Sequence, residues 1–400
     1  MSRIAFSETE KWRFPCIGQN GKIYCMPFNS QYILELCPVK CTMELIEIDV
    51  EIKPSDNWWG TVLGNDGCLY GVPFMATRIL KYNPRTQLAE FVGPDLSEID
   101  DTVQPMRFIG GVASGENIVL IPYKSHRIFV FNVSNKTWEF IGNKMIAKNG
   151  KWAGGVMGEG EVIIGIPAGA QGVLRIFLPG KLVSMFGFSE LQIKDGWIGG
   201  TLTHDKSLIY CAPYNSKKVL IIDYKKESLK MLKFPEILFE DGKERRLFTG
   251  GSVSKNKSLF FFPEDGPGVL HIRTSDDTLG IIDDYHCDAS QKFGGCQVAG
   301  NGTIFGIPFN SNHVSYIYTT NEDNFTSPCV EVLSDMASRK IALLQNDIDG
   351  HKRARVLLRE NLFSYKKKLN DWKIFKKNEM RFLMVPSVLN LIQKIFIIKV

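Results

Sequence analysis

The chain is poor in the residues from which most active sites are built. Six histidines are spread over 400 residues, at His126, His204, His271, His286, His313 and His351. Their spacing brings no three together, and three convergent protein ligands are the least a metal site needs. Nine cysteines include no C-x-x-C pair, and the number is odd. G-x-S-x-G, H-E-x-x-H, phosphate-loop and EF-hand patterns are all missing. The expectation is therefore a chain with no cofactor, no bound metal and no catalytic residue legible in its motifs. Long hydrophobic runs are also lacking. The start, Met1 to Glu10, has no apolar core segment, so no secretory signal is expected, and reduced thiols in the cytoplasm follow. The most apolar stretch, Met380 to Val400, is interrupted by Arg381, Pro386, Lys394 and Lys399, which leaves no clear transmembrane span.

What the chain does have is one phrase repeated seven times, roughly Ile-Tyr-Gly-Ile-Pro-Phe-Asn-Ser. Its prolines are Pro27, Pro73, Pro122, Pro167, Pro213, Pro263 and Pro308, separated by 46, 49, 45, 46, 50 and 45 residues. A fixed period of this size is the signature of a repeat architecture. Each unit opens on an aromatic followed by a glycine pair, as in Phe108-Ile-Gly-Gly111, Trp152-Ala-Gly-Gly155, Trp197-Ile-Gly-Gly200 and Phe248-Thr-Gly-Gly251. A turn follows, such as Asn20-Gly21, Asp66-Gly67 or Asn301-Gly302. Asn-Gly and Asp-Gly between apolar runs mark hairpins because both central residues tolerate positive φ. The phrase is the second strand, with its proline at the strand end, where a missing N–H does least harm. Third strands are expected at Tyr32–Leu36, Ile128–Asn132 and Val173–Phe177, and a weaker fourth at segments such as Lys181–Phe186.

Four antiparallel strands in 40–50 residues form a propeller blade. The expected fold is all-β: a seven-bladed β-propeller of four-stranded blades over residues 1–338, with units at about 11–56, 57–105, 106–149, 150–194, 195–245, 246–290 and 291–338. The segments Arg78-Ile-Leu-Lys-Tyr-Asn-Pro-Arg-Thr86 and Arg127-Ile-Phe-Val-Phe-Asn-Val-Ser-Asn-Lys-Thr-Trp138 are similar to kelch repeats, with an aromatic, an Asn, a turn and then Trp. The resemblance covers about residues 11–338 and departs from the kelch pattern in two ways: Ile-Pro-Phe-Asn-Ser replaces glycines, and most units lack the late Trp, which is clear only as Trp138. A kelch-like propeller of the galactose oxidase/kelch type implies an interaction module, and the resemblance carries over no catalytic residue.

Residues 339–400 share nothing with the phrase. They hold fifteen Lys/Arg against five Asp/Glu, so of the chain's net charge of +5 the repeat region carries about −5. This basic tail is expected to be mainly helical or poorly ordered, and to dock a partner or an acidic surface. It has no specific nucleic-acid motif. Acidic clusters at Glu98–Asp101, Asp276-Asp277 and Asp283-Asp284 are expected in solvated outer turns.

The residue after each proline points to a surface. It is aromatic in five units: Phe28, Phe74, Tyr123, Tyr214 and Phe309. Ala168 and Glu264 break the series. Asn29, Asn215 and Asn310 come next. By symmetry these positions lie on one face, and aromatics dominate protein-binding hot spots. The expected function is a non-catalytic protein-interaction scaffold using one propeller face, with these eight residues as the candidate rim. The alternative is a propeller enzyme, a metal-dependent hydrolase or lyase with its site at the central channel.

Overall fold

The computed structural model describes residues 9–53, 57–102, 105–146, 149–188, 191, 193–234, 246–282, 292–311, 314–317 and 331–332. The chain divides into two compact units, Met1–Ala337 and Ser338–Val400. The basic tail, with the helical segments read there, lies outside the described residues, as do His286, His313 and the Asp283-Asp284 cluster.

The first unit is a seven-bladed β-propeller. Seven four-stranded antiparallel sheets each use four consecutive strands in simple order. Blade one, for example, is Cys16–Ile17, Ile23–Cys25, Tyr32–Cys37 and Thr42–Glu47. Blade four is Trp152–Met157, Val162–Pro167, Val173–Phe177 and Leu182–Phe186. Each innermost strand packs against that of the next blade. The ring closes without exchanging a strand: Phe14 N donates to Gly294 O (2.9 Å) and Lys11 N to Phe309 O (3.0 Å).

The register explains the repeat. In all seven blades the opening aromatic stands opposite the proline, from Trp12↔Pro27 and Trp58↔Pro73 through Pro122↔Phe108 to Phe248↔Pro263 and Phe293↔Pro308. These seven aromatics are fully buried. Where the aromatic is Trp12, Trp58, Trp152 or Trp197, its indole N–H also donates to a carbonyl at the start of the third strand, at Tyr32, Arg78, Gly172 and Lys218. Between the aromatic and the next paired residue the strand bulges, which bends it toward the axis. The bulge needs positive φ, met by Gly60, Gly110, Gly154, Gly199, Gly250 and Gly295. A Cβ at Gly110, Gly154 or Gly199 would also lie 2.8–2.9 Å from the next glycine's Cα, so the glycines allow seven inner strands to crowd one axis. Blade one is the exception: Phe14 takes this position at φ +47°. Its ring lies 3.1–3.7 Å from where Cβ atoms would stand on Gly154, Gly199, Gly250 and Gly295 and occupies the axis.

The acidic cluster at 98–101 is solvated as expected at Glu98 and Asp101, which are exposed, but not at Asp100. Leu96–Ile99 forms one helical turn capped by Asp95, and Asp100 is buried with its carboxylate 3.8 Å from Arg107 Nε. Thr102 donates to that carboxylate from its N–H (3.2 Å) and hydroxyl (2.6 Å), and Arg107 faces it as a buried cation.

Candidate functional site

One backbone bond recurs in every blade. The N–H after the proline donates to the carbonyl of the residue before the opening aromatic, at 2.8–3.0 Å, as Phe28→Lys11, Phe74→Asn57, Tyr123→Arg107, Ala168→Lys151, Tyr214→Gly196, Glu264→Leu247 and Phe309→Lys292. It fixes all seven post-proline side chains at one end of the axis. There six of them gather in an apolar cluster with the residues preceding four of the bulge glycines: Phe28, Phe74, Ala168, Tyr214 and Phe309 with Trp59, Ile109, Ala153 and Ile198, and with Phe14, Met75 and Tyr123 at its margin. Ring centroids run from Phe309 to Phe28 (5.8 Å), Phe28 to Phe74 (5.8 Å) and Phe74 to Tyr123 (6.4 Å), and Trp59 packs edge-on against Phe28 and Phe74.

These side chains enclose a cavity of about 420 Å³. Phe28, Trp59, Phe74, Tyr123, Tyr214 and Phe309 supply aromatic wall, and Ile109 and Ile198 aliphatic wall. Glu10, Met106, Lys194, Asp195, Asn215 and Arg246 come from the segments between blades. On the far side of Phe14 lies a second, smaller space of about 160 Å³ lined by the glycine bulges.

Two polar contacts cross this face, and each spans a whole blade. Arg13 of blade one is fully buried, and its guanidinium donates two hydrogen bonds to Glu264 of blade six, at 2.9 and 3.0 Å. Blade seven lies between them. Its residue in the corresponding place is Gly294, where a Cβ would stand 3.0 Å from Arg13 Cγ and 2.2 Å from Trp12 O. The guanidinium also lies 3.6 Å from the Phe309 centroid and 4.3 Å from that of Trp59, a cation–π setting. Burial works against the Arg13 charge, but the neighbouring Glu264 carboxylate raises its pKa above the ordinary value. Tyr123 of blade three donates to Asp195, at the start of blade five, at 2.8 Å. It crosses Gly150, where a Cβ would lie 1.9 Å from the ring. Burial pushes the Tyr123 hydroxyl up, and the Asp195 charge adds to the shift. Tyr214 is raised by burial and then by Glu264, which its hydroxyl meets at 3.4 Å.

Of the eight candidate rim residues, the structure brings Phe28, Phe74, Tyr123, Tyr214, Phe309 and Asn215 to the cavity. Phe28, Phe74, Tyr214 and Phe309 are buried as its walls, while Tyr123 is half-buried. Asn29 and Asn310 stand aside. Asn29 donates to Glu10 Oε2 (3.1 Å) and accepts from Asn57, and Asn310 accepts from the Glu10 backbone (2.6 Å). Sequence reading missed Arg13, Trp59, Ile109, Ile198 and the acids that answer the long side chains. The available signal was repeat phase: among the seven residues preceding the bulge position, Arg13 alone is charged, and Glu264 is the only acid after a ladder proline.

Among the described residues, no three His, Cys, Asp or Glu side chains come together as a metal site. The seven described cysteines are unpaired, with Cys25 and Cys211 buried in the same slot of their blades. No described helix is long and apolar enough to cross a membrane.

No protein-family model and no curated protein matches the chain. Solved structures do. A streptogramin B lyase superposes with a TM-score of 0.60 at 13% identity, over 77% of this chain and 93% of that one. The virginiamycin B lyase of Staphylococcus aureus gives 0.60 at 10%, over 77% and 94%. The RRP9 WD40 repeats give 0.55 at 10%, over 75% and 88%. Identities this low establish a shared propeller fold. They do not single out the kelch type, since both lyases and WD40 repeats superpose.

Proposed function

We propose that the chain is a non-catalytic, kelch-like interaction propeller that works in a reducing compartment such as the cytoplasm and receives a protein partner at the Arg13 end of its axis. One observation carries this reading: the departures from the repeat collect around one cavity. Arg13, Trp59 and Glu264 differ from their counterparts in other blades, and they lie in or against the same aromatic-walled space, which the Tyr123–Asp195 contact also borders. Such a space, with a few polar groups in its wall, suits an inserted side chain of a partner. The unpaired cysteines support the choice of compartment. The likeness to the lyases is one of fold and carries no substrate to this chain.

The test is quantitative affinity capture with the full chain, with Met106→Glu and Asn215→Arg at the cavity mouth, and with Leu88→Glu as a control on the outer edge of blade two, where Leu88 is exposed. The expected result is a partner lost with both mouth variants, kept with the control, and rebinding when purified. Mouth variants that leave every captured protein unchanged would sink the reading.

A further inference from the structure

Resting on that reading, we infer that the cavity recognises a partner segment in which an aromatic or long aliphatic side chain stands next to a carboxylate. The wall calls for the first part. Phe28, Trp59, Phe74, Tyr214, Ile109 and Ile198 offer apolar surface to whatever enters.

The mouth calls for the second. Each carboxylate there is already engaged by the protein. Glu264 accepts from both terminal nitrogens of Arg13, Asp195 accepts from Tyr123, and Glu10 accepts from Asn29. Among the three cations that line the space, Arg13 is committed and buried. Lys194 and Arg246 are exposed. The carboxylate nearest Arg246 is Glu264, at 3.8 Å, whose oxygens already serve Arg13. Among the described residues neither Lys194 nor Arg246 has a hydrogen-bonded acid. Formal charges nearly cancel, but the exposed charge without a hydrogen-bonded counter-ion is positive. An entering carboxylate meets the exposed Lys194 and Arg246, neither of which is hydrogen-bonded to an acid among the described residues. An entering ammonium would have to share Glu264, Asp195 or Glu10 with donors they already accept from, beside the like charges of Lys194 and Arg246. Rim charges of this kind set selectivity and capture rate more than total affinity.

The experiment pans the full chain against a displayed library of random seven-residue loops and measures winning clones on variants. The expected winners carry Phe, Tyr, Trp or Leu flanked by Asp or Glu, and lose binding on Met106→Glu. Their affinity should fall about tenfold or more, a difference of about 1.4 kcal/mol, on the double variant Lys194→Glu, Arg246→Glu. It should return when the clone's acids are changed to Lys. The milder pair Lys194→Gln, Arg246→Gln should weaken the same clones in the same direction, and it places no new acid beside Glu264. Winners with neutral or basic flanks, or binding indifferent to both pairs, overturn the carboxylate preference and leave the interaction reading standing. A panning that yields no clone sensitive to Met106→Glu overturns both.

Discussion

The Arg13 guanidinium and the Glu264 carboxylate, 251 residues apart in the chain, meet in a two-bonded ion pair that is 2% and 0% exposed. The pair links blade six to blade one above the glycine of blade seven, so it ties together the blades at the ring's closure. Removing one partner strands a buried charge, whereas replacing both removes the problem. Glu264→Ala is expected to destabilise the propeller by about 3–5 kcal/mol. The double variant Arg13→Met, Glu264→Leu is expected to recover most of that loss. Denaturant unfolding of wild type, both single variants and the double variant measures the coupling, and additive losses would contradict it.

The glycine bulges give a paired contrast. Gly199→Ala forces a positive-φ residue to carry a Cβ 2.8 Å from the Gly250 Cα, and should cost at least about 2 kcal/mol. Gly280, in the outer strand Thr278–Ile282, has open space around its missing Cβ and no positive φ. Gly280→Ala should be neutral or stabilise by about 0.5–1 kcal/mol. Thermal midpoints of the two variants should move in opposite directions, or the second not at all.

Phe14 closes the axis. Phe14→Gly restores the residue that the six other blades use and relieves the strain of a positive φ, but it removes a ring packed among the inner strands. The packing loss is expected to dominate, with a net cost of about 2–4 kcal/mol. Unfolding in denaturant checks the sign. A variant more stable than wild type would show that strain outweighs packing.

The Tyr123 strap depends on Gly150. Gly150→Ala places a methyl inside the ring's position and is expected to expel Tyr123 from its bond with Asp195. Tyr123→Phe loses only the hydrogen bond, worth about 1.5–3 kcal/mol with a charged acceptor. Combining the two substitutions should fall short of the sum by about the worth of that hydrogen bond, which Gly150→Ala alone already breaks, while the clash with the ring remains in both backgrounds; denaturant unfolding of the three variants measures it.

Lys151 supplies a pH dependence. It is buried, with Nζ donating to the carbonyls of Ser125 (2.7 Å) and Tyr123 (3.3 Å). Burial lowers its pKa to about 8. Between that value and the ordinary lysine value, the unfolded chain binds more protons than the folded one. Stability from this group therefore rises with pH across the window, and its charging penalty is fully present below about pH 8. The difference in unfolding free energy between wild type and Lys151→Met should shift in favour of wild type from pH 8 to 10, and a flat difference would contradict the assignment.

The blades were legible because they are local. A turn such as Asp66-Gly67, an alternating strand and an aromatic set against a proline all lie within one unit, and seven copies reinforce one another. The third strands Ile128–Asn132 and Val173–Phe177 fall where the pattern puts them. The face was legible in part, since symmetry alone carries Phe28, Phe74, Tyr123, Tyr214 and Phe309 to one end of the axis.

What symmetry cannot supply is which exceptions answer one another. Read along the chain, Glu264 is a break in an aromatic series, Gly294 and Gly150 are ordinary glycines, and Arg13 is one cation among many. Ring closure decides their meaning, because it brings blade one beside blade seven and puts a buried guanidinium within reach of the one acid in the series. The sequence determined the repeat, its count and its strands, because short-range turn chemistry and burial periodicity act within each unit. The tertiary structure decided the cavity, its two straps and the exposed cations at its mouth, because those depend on distances between residues that only the closed ring brings together.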